Sequence, residues 1–379
     1  SSDVCSSDLV GVGLEEKVIG PEILLLTTGT DLSEEQRSKL EQIQGQWKET
    51  DALYGIFTSG STGTPKAIVV SHGAVSRFVR HFTEIFEITS EDVIGNQAPF
   101  DFDVSVKDIY SSIMTGAQLV LIPKEYFSTP PRLLDYLCDK KVTNLTWAVS
   151  ALTLVSALKG LNYRVPESVK RVMFSGEAMP PKQLRIWQEK LPDAKFVNLY
   201  GPTEITCNCT YFPIERQYED SEKIPAGKAF PGRRVILVDE EGKQVTEPGV
   251  QGEICSAGES LANGYYKEPE QTAEKFVLYP VDGTEQRMYR TGDLGSYDEE
   301  GNIVFAGRKD FQIKHMGYRI EPGEIEAAIG ALPEIHACVC IYLETTDEIL
   351  LFYQGKIKQE ALSAAISGKL PAYMRPNKF

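Results

Sequence analysis

Apolar positions along the chain switch between two spacings, and each switch marks an element. After Ser71, the residues Val75, Phe78, Val79, Phe82, Ile85 and Phe86 recur at three- and four-residue steps, the stripe of a helix packed on one face, with Ser71 placed to cap it. Ahead of that helix, Ile23–Leu26 reads as a strand and Leu32–Gln44 as a polar helix. Leu53, Tyr54, Ile56 and Phe57 read as a buried strand, and Ala67–Val70 as its successor. Beyond it, a helix is expected over Val106–Thr115, stopped by Gly116. Short apolar runs at Leu119–Ile122, Asn144–Trp147, Val169–Phe174 and Phe196–Leu199 then alternate with helical stretches at Arg132–Asp139, Ala151–Leu158 and Pro181–Glu189. This pattern predicts an α/β fold of parallel units, with the sheet buried on both faces and functional residues in the loops at the carboxyl ends of its strands.

From Pro213 the pattern becomes polar and rich in turns, with strands at Arg234–Val238 and Glu253–Ser256, which predicts a β-rich subdomain. Phe311–Phe379 reads as strand, helix, two strands (Ala337–Leu343 and Glu348–Gln354) and a helix (Lys358–Ser367), a small α+β unit. The organisation expected is therefore a large unit over residues 10–309 and a small one over 310–379. Ser1–Leu9, with its repeated SSD, follows no periodicity and is set aside as a tag or assembly artefact.

Charge narrows the partners. Lys and Arg total 39 against 54 Asp and Glu, a net charge of −15 at neutral pH, so a nucleic acid or an anionic membrane would face an opposing field, and no basic run offsets it. No apolar stretch approaches the roughly 18 residues of a membrane span and no signal segment opens the chain, so the expected address is cytoplasmic. The chain has seven cysteines, an odd number, and four histidines (His72, His81, His315 and His336), none at zinc-ligand spacing to a cysteine cluster. Reduced thiols are expected. His72 and His81 fall on different faces of one helix and read as structural or solvated.

The densest candidate chemistry is YGIFTSGSTGTPK, Tyr54 to Lys66. Thr58, Ser59, Ser61, Thr62 and Thr64 present hydroxyls, Gly60 and Gly63 let backbone N–H groups turn toward an anion, and Lys66 adds a positive charge; a polyphosphate fits that composition. A polar surface turn is the plain alternative, and the length of the hydroxyl run argues against it. Pro65 before the lysine and Ala67 after it exclude the commoner G-x-x-x-x-G-K-[ST] loop.

Further candidates follow in order. APFDFDVS sets Asp101 and Asp103 between aromatic residues just before the helix, as helix caps or as receivers of a cation. SGEAMP spans Ser175–Pro180. NLYGPTE, Asn198–Glu204, offers Tyr200 as a flat ring for a base and Glu204 as an oxygen ligand for Mg²⁺. YRTGDL puts Asp293 after a glycine turn, where a carboxylate accepts two ribose hydroxyls or merely closes a hairpin. GRKDFQIKHMGYRIEPGEIE, Gly307–Glu326, joins a charged segment to a strand and helix, with a solvated linker as the plain reading.

Together these six strings, spread over Leu53–Phe379, resemble the adenylate-forming superfamily, which contains acyl-CoA ligases, luciferases and the amino-acid adenylation domains of peptide synthetases. The resemblance implies the adenylate-forming ligase fold, with a small mobile C-terminal domain. It also implies ATP and Mg²⁺, and a loop from Thr58 to Lys66 that holds the β- and γ-phosphates. Gly176 and Tyr200 would flank adenine, Asn198 would meet its amino group, Thr203 the α-phosphate, Glu204 the magnesium, and Asp293 the ribose. Arg308 would contact the nucleotide and Asp310 would be the hinge. Phe102 and Asp103 match the F-D-x-S string whose aspartate takes an α-ammonium group. By the same matching, Val104, Lys107, Ser150, Met173, Ser175, Leu199, Cys207 and Asn208 would line the side-chain pocket.

Lys107 would pair with an acidic substrate side chain, be solvated, or be paired internally. Met316 stands where basic residues often precede the glycine, and Ala67 where the family usually has glycine. The family's lysine in an N-G-K segment would follow LPAYMRPNKF, so the expectation is a chain short at both ends. The expected activity is ATP-dependent activation of an amino acid and its transfer to a phosphopantetheinylated carrier protein, as in a peptide-synthetase domain or a D-alanine:carrier ligase. An acyl-CoA ligase acting on a non-amino acid, or a non-catalytic nucleotide-binding module, are the alternatives.

Overall fold

Five parallel strands set the frame. In this computed structural model, which describes residues 33–58, 65–281, 283–309, 312–316, 318–343 and 346–379, they lie in the spatial order Gln118–Leu121, Val93–Asn96, Asn144–Ala148, Arg171–Ser175 and Lys195–Tyr200. Two antiparallel strands, Thr210–Pro213 and Lys228–Ala229, extend the far edge. The interior strands are buried along nearly their whole length, as a sheet with helices on both faces requires. The strand order reverses between Val93–Asn96 and Asn144–Ala148, because the chain moves outward to Gln118–Leu121 and then returns to the other side. Such a switch point opens a crevice at the carboxyl ends of the strands.

The helix His72–Ile85 covers one face, and its sequence explains why. Ser71 caps it, its hydroxyl accepting from the Ala74 amide at 3.2 Å, and Val75, Phe78, Val79 and Phe82 are all buried on one side. Phe78, Phe82, Phe86, Tyr211 and Phe230 form one aromatic cluster, with ring separations between 4.7 and 6.5 Å. The helix Val104–Thr115 ends at Gly116, whose φ of 77° suits a residue without a Cβ. On the opposite face, Pro130–Asp139, Val149–Ala157 and Pro181–Lys190 enclose a second core around Trp147, Phe174 and Trp187.

A six-stranded antiparallel sheet follows, built on Arg233–Val238, Gln251–Gly258 and Thr284–Tyr297, with Ile303–Arg308 paired to the last. A separate core gathers residues between Ile313 and Met374 around the hairpin Ile335–Leu343/Glu348–Gly355 and the helices Pro322–Gly330 and Gln359–Ser367. Ala52–Thr58, Lys66–Ser71 and Gly264–Tyr265 make a three-stranded sheet.

One expectation fails here. The strand Ala52–Thr58 is an edge strand and is not buried: Ile56 is enclosed, but Phe57 is 72% exposed, with no strand paired on its outer side among the described residues. The expected strand at Ile23–Leu26 and the segment Ser1–Leu9 lie outside the described residues. Among the described residues, no helix is long and apolar enough to cross a membrane.

Candidate functional site

The loops that follow Val93–Asn96, Asn144–Ala148, Arg171–Ser175 and Lys195–Tyr200 all open on the carboxyl edge of the sheet, so the sequence strings APFDFDVS, SGEAMP and NLYGPTE arrive at one place. Asp103 and Ser150 flank the switch point itself. Asp103 immediately precedes the helix Val104–Thr115, yet its φ of −64° is already helical and it makes no side-chain cap bond. The side-chain N-cap is therefore not formed, and the carboxylate instead meets the Val104 amide and the Thr203 side chain. It is buried, and burial raises its pKa. A hydrogen bond from Thr203 and the charge of Lys107 work the other way, while the charge of Glu204 adds to the rise. The aspartate of one motif and the threonine and glutamate of another are thus neighbours, although about a hundred residues separate them in sequence.

Around Asp103 the wall is dense with paired polar groups. The Cys207 thiol donates to the Asp103 carbonyl at 3.1 Å, and burial pushes that thiol far up. Lys107, 1% exposed, donates from Nζ to Asn208 Oδ1 at 2.7 Å; burial lowers its pKa, with Cys207, Asp103 and Asp108 opposing. Lys107 is thus hydrogen-bonded inside the protein and not solvated. Asp108, next to it, is pushed up to about 7 by burial, against the Asn96 amide, the Lys107 charge and the Thr146 hydroxyl. Met173, Ser175 and Leu199 are buried in the strands behind, while Val104, Phe102 and Ser150 are half-buried, and the Ser150 amide donates to Glu177 Oε2 at 3.1 Å. The Phe102 ring meets Tyr318 at 5.6 Å, and Tyr318 stacks flat on Tyr373 at 3.8 Å, so the C-terminal core touches this wall.

The second half of the crevice collects the other strings. Tyr200, buried, donates from its hydroxyl to Asp293 Oδ2 at 2.6 Å, and the other Asp293 oxygen is ion-paired with Arg308. The pairing follows from strand register, since Asp293 and Arg308 lie directly opposite in the antiparallel sheet. Burial raises the Tyr200 phenol, and the neighbouring Asp293 charge adds to it. Asn198 spends its side-chain NH₂ on the Pro225 carbonyl at 2.8 Å, which leaves its oxygen as the acceptor that a base amino group needs. Gly176, at φ 97°, occupies a backbone conformation that a side chain would resist.

The hydroxyl loop starts and finishes on a hairpin. Thr58 and Lys66 pair across the hairpin and fix both of its ends; Ser59, Gly60, Ser61, Thr62, Gly63 and Thr64 lie outside the described residues, as does Asp310. Lys66 stands over the Tyr265 ring at 5.1 Å, and the Tyr265 hydroxyl donates to Glu204 Oε1 at 3.0 Å. Tyr265 therefore ties the foot of the loop to NLYGPTE. Sequence reasoning passed over it, because its tyrosine-rich turn carries no motif and its partner is 61 residues away.

With this geometry in hand, comparison with known proteins gives the class. The family described as AMP-binding enzyme matches residues 13–266, and the chain belongs to that family. It is 36% identical over 349 residues to Tyrocidine synthase 3 of Brevibacillus parabrevis, covering 90% of this chain and 5% of that protein. It is 33% identical over 388 residues to the D-alanine--D-alanyl carrier protein ligase of Bacillus velezensis, covering 99% of this chain and 74% of the ligase. Among solved structures it resembles NpsA-ThdA, an artificially fused adenylation-PCP di-domain NRPS from Klebsiella oxytoca, with a TM-score of 0.77 and 25% identity over 88% of this chain and 66% of that one. The chain thus spans a small part of the synthase and about three-quarters of the ligase.

Proposed function

We propose that the chain activates an amino acid with ATP, as an aminoacyl adenylate, and passes it to the phosphopantetheine thiol of a carrier protein. One observation carries the reading: Asp103 is a buried, uncapped carboxylate at the switch point of the sheet, set beside Thr203 and Glu204. A buried carboxylate costs free energy unless a cation meets it, and an α-ammonium group is the cation an amino acid brings. Identity to a peptide synthase and to a carrier protein ligase supports the same chemistry.

In this reading the substrate carboxylate attacks the α-phosphorus of ATP in line. An O–P bond forms, the bond to the β-phosphate oxygen breaks, and pyrophosphate leaves. Thr203 orients the α-phosphate, the hydroxyl loop with Lys66 grips the leaving phosphates, and Tyr200, Asn198 and Gly176 receive the base. Asp293 would take the ribose hydroxyls, and Arg308, now its partner, would share that contact. In the second step the carrier thiol forms a C–S bond at the activated carbonyl and AMP departs.

Magnesium is part of the proposal, and the donor set fits it: Glu204 is a 1%-exposed carboxylate close enough to Asp103 to repel it, so the pair suits two cations, the ammonium at one and a hard divalent ion at the other. When bound, the ion would offset polyphosphate charge. We also propose the division at Asp310 into a large and a small domain, and a cytoplasmic setting.

The test is exchange of labelled pyrophosphate into ATP by the full gene product, with each protein amino acid and D-alanine in turn. Exchange with one amino acid supports the reading and names the substrate. Turnover only with fatty or aryl acids and coenzyme A overturns it.

A further inference from the structure

One buried cation has no part in that chemistry. Arg233 opens the strand Arg233–Val238 in a stretch without any motif, and it is 7% exposed. Its guanidinium lies over the Phe78 ring at 4.7 Å and near the Phe230 ring at 5.8 Å. Nη2 donates to the Thr206 carbonyl at 3.3 Å, and Nη1 has no hydrogen-bond partner among the described residues. Burial lowers its pKa to about 10, against the influence of Cys209, Cys207 and Tyr54, so it stays charged at neutral pH. A desolvated guanidinium is a costly way to fill space, which directs attention to what it holds.

What it holds is a corner in a resisted conformation. Thr206 and Cys207 sit at φ 57° and 65°, two consecutive non-glycine residues in the left-handed region, and the first is β-branched. The Thr206 carbonyl that Arg233 grips also accepts the Asn208 amide at 2.9 Å, and the Thr206 hydroxyl donates to the Ser260 carbonyl at 2.7 Å. The corner delivers Cys207 to the Asp103 carbonyl and Asn208 to Lys107. Two glycines make the approach possible. A Cβ on Gly201 would stand 2.6 Å from Asn208 Cα, and one on Gly258, the cross-strand partner of Arg233, would stand 3.0 Å from Arg233 Cα.

We propose that Arg233 is a positioning residue of the amino-acid pocket, holding the Thr206–Cys207 corner so that Cys207 and Asn208 stand at fixed distances from Asp103 and Lys107. The inference rests on the functional reading above and extends it to a residue that never touches substrate. A space-filling arginine would support stability alone; a positioning one also sets the fit for the amino acid and leaves the nucleotide half alone.

The experiment uses the full gene product as wild type, Arg233→Met and Arg233→Lys, with two readouts: pyrophosphate exchange, and amide hydrogen exchange over residues 204–210. Arg233→Met should raise KM for the cognate amino acid about tenfold, as loss of a charge-assisted hydrogen bond does, with KM for ATP within about twofold. Discrimination against amino acids of similar size should weaken, and the 204–210 amides should exchange faster. Arg233→Lys keeps the buried charge but not the planar fork, so a rise of about threefold is expected, and it carries the test if the methionine variant does not fold. Unchanged amino-acid KM and unchanged hydrogen exchange, or equal rises in both KM values, overturn the inference while wild-type exchange keeps the functional reading intact. A wild type that exchanges with no amino acid overturns that reading instead, and the hydrogen-exchange comparison then judges the grip on the corner by itself.

Discussion

The two halves of the crevice treat buried charge in opposite ways. On the side proposed for the nucleotide, Asp293 has a partner on each oxygen: Tyr200 donates to one and Arg308 pairs with the other. On the amino-acid side, burial outweighs the neighbours, and both Asp103 and Asp108 have raised pKa values. A ligand entering the first half meets a carboxylate that already has partners. A cation entering the second would lower the cost of burying the Asp103 carboxylate.

Substitutions can break this contrast. The largest effect belongs to Asp103→Ala, which should lower kcat/KM for the amino acid about 10²–10³-fold with little change in KM for ATP, read by pyrophosphate exchange. An Asp103→Ala variant with normal amino-acid activation would end the ammonium assignment. Asp108→Asn tests the cost of burial itself. Its carboxyl holds its proton up to about 7 in the fold, above the ordinary 3.8, so wild-type stability should fall relative to the variant as pH rises from about 4 to 7 and then level off. Melts across that range should show a gap of about 2–4 kcal/mol at pH 8. Lys107→Met leaves the buried Asn208 Oδ1 without its donor, so denaturant unfolding should show a loss of about 1–3 kcal/mol. Tyr200→Phe should do least, because Arg308 still pairs Asp293: about 1 kcal/mol of nucleotide affinity, seen as a KM for ATP raised less than tenfold.

Legibility followed the range of the interaction. The helix His72–Ile85 was readable because its stripe and its Ser71 cap are local, and the parallel units because their alternation is. Phe57 misled because an apolar run does not say whether a strand is interior or edge, and only the pairing of Ala52–Thr58 on one side exposes it. Asp103 carried its significance in a short string, but its failure to cap the helix depends on a φ angle. The Asp293–Arg308 pair needed strand register, and Tyr265 and Arg233 act on partners 61 and 27 residues away with no string to mark them.

Cys207 has a further consequence. On the proposed reading the pocket handles an aminoacyl adenylate, an electrophile open to attack by sulfur, and its wall carries a thiol beside Asp103. Buried and donating its proton to the Asp103 carbonyl, it keeps almost no thiolate at neutral pH, and the thiolate is the reactive form. On that reading a pocket lined with cysteine would still release its product intact, because the sulfur in its wall is chemically silent and the capturing thiol would come from the carrier.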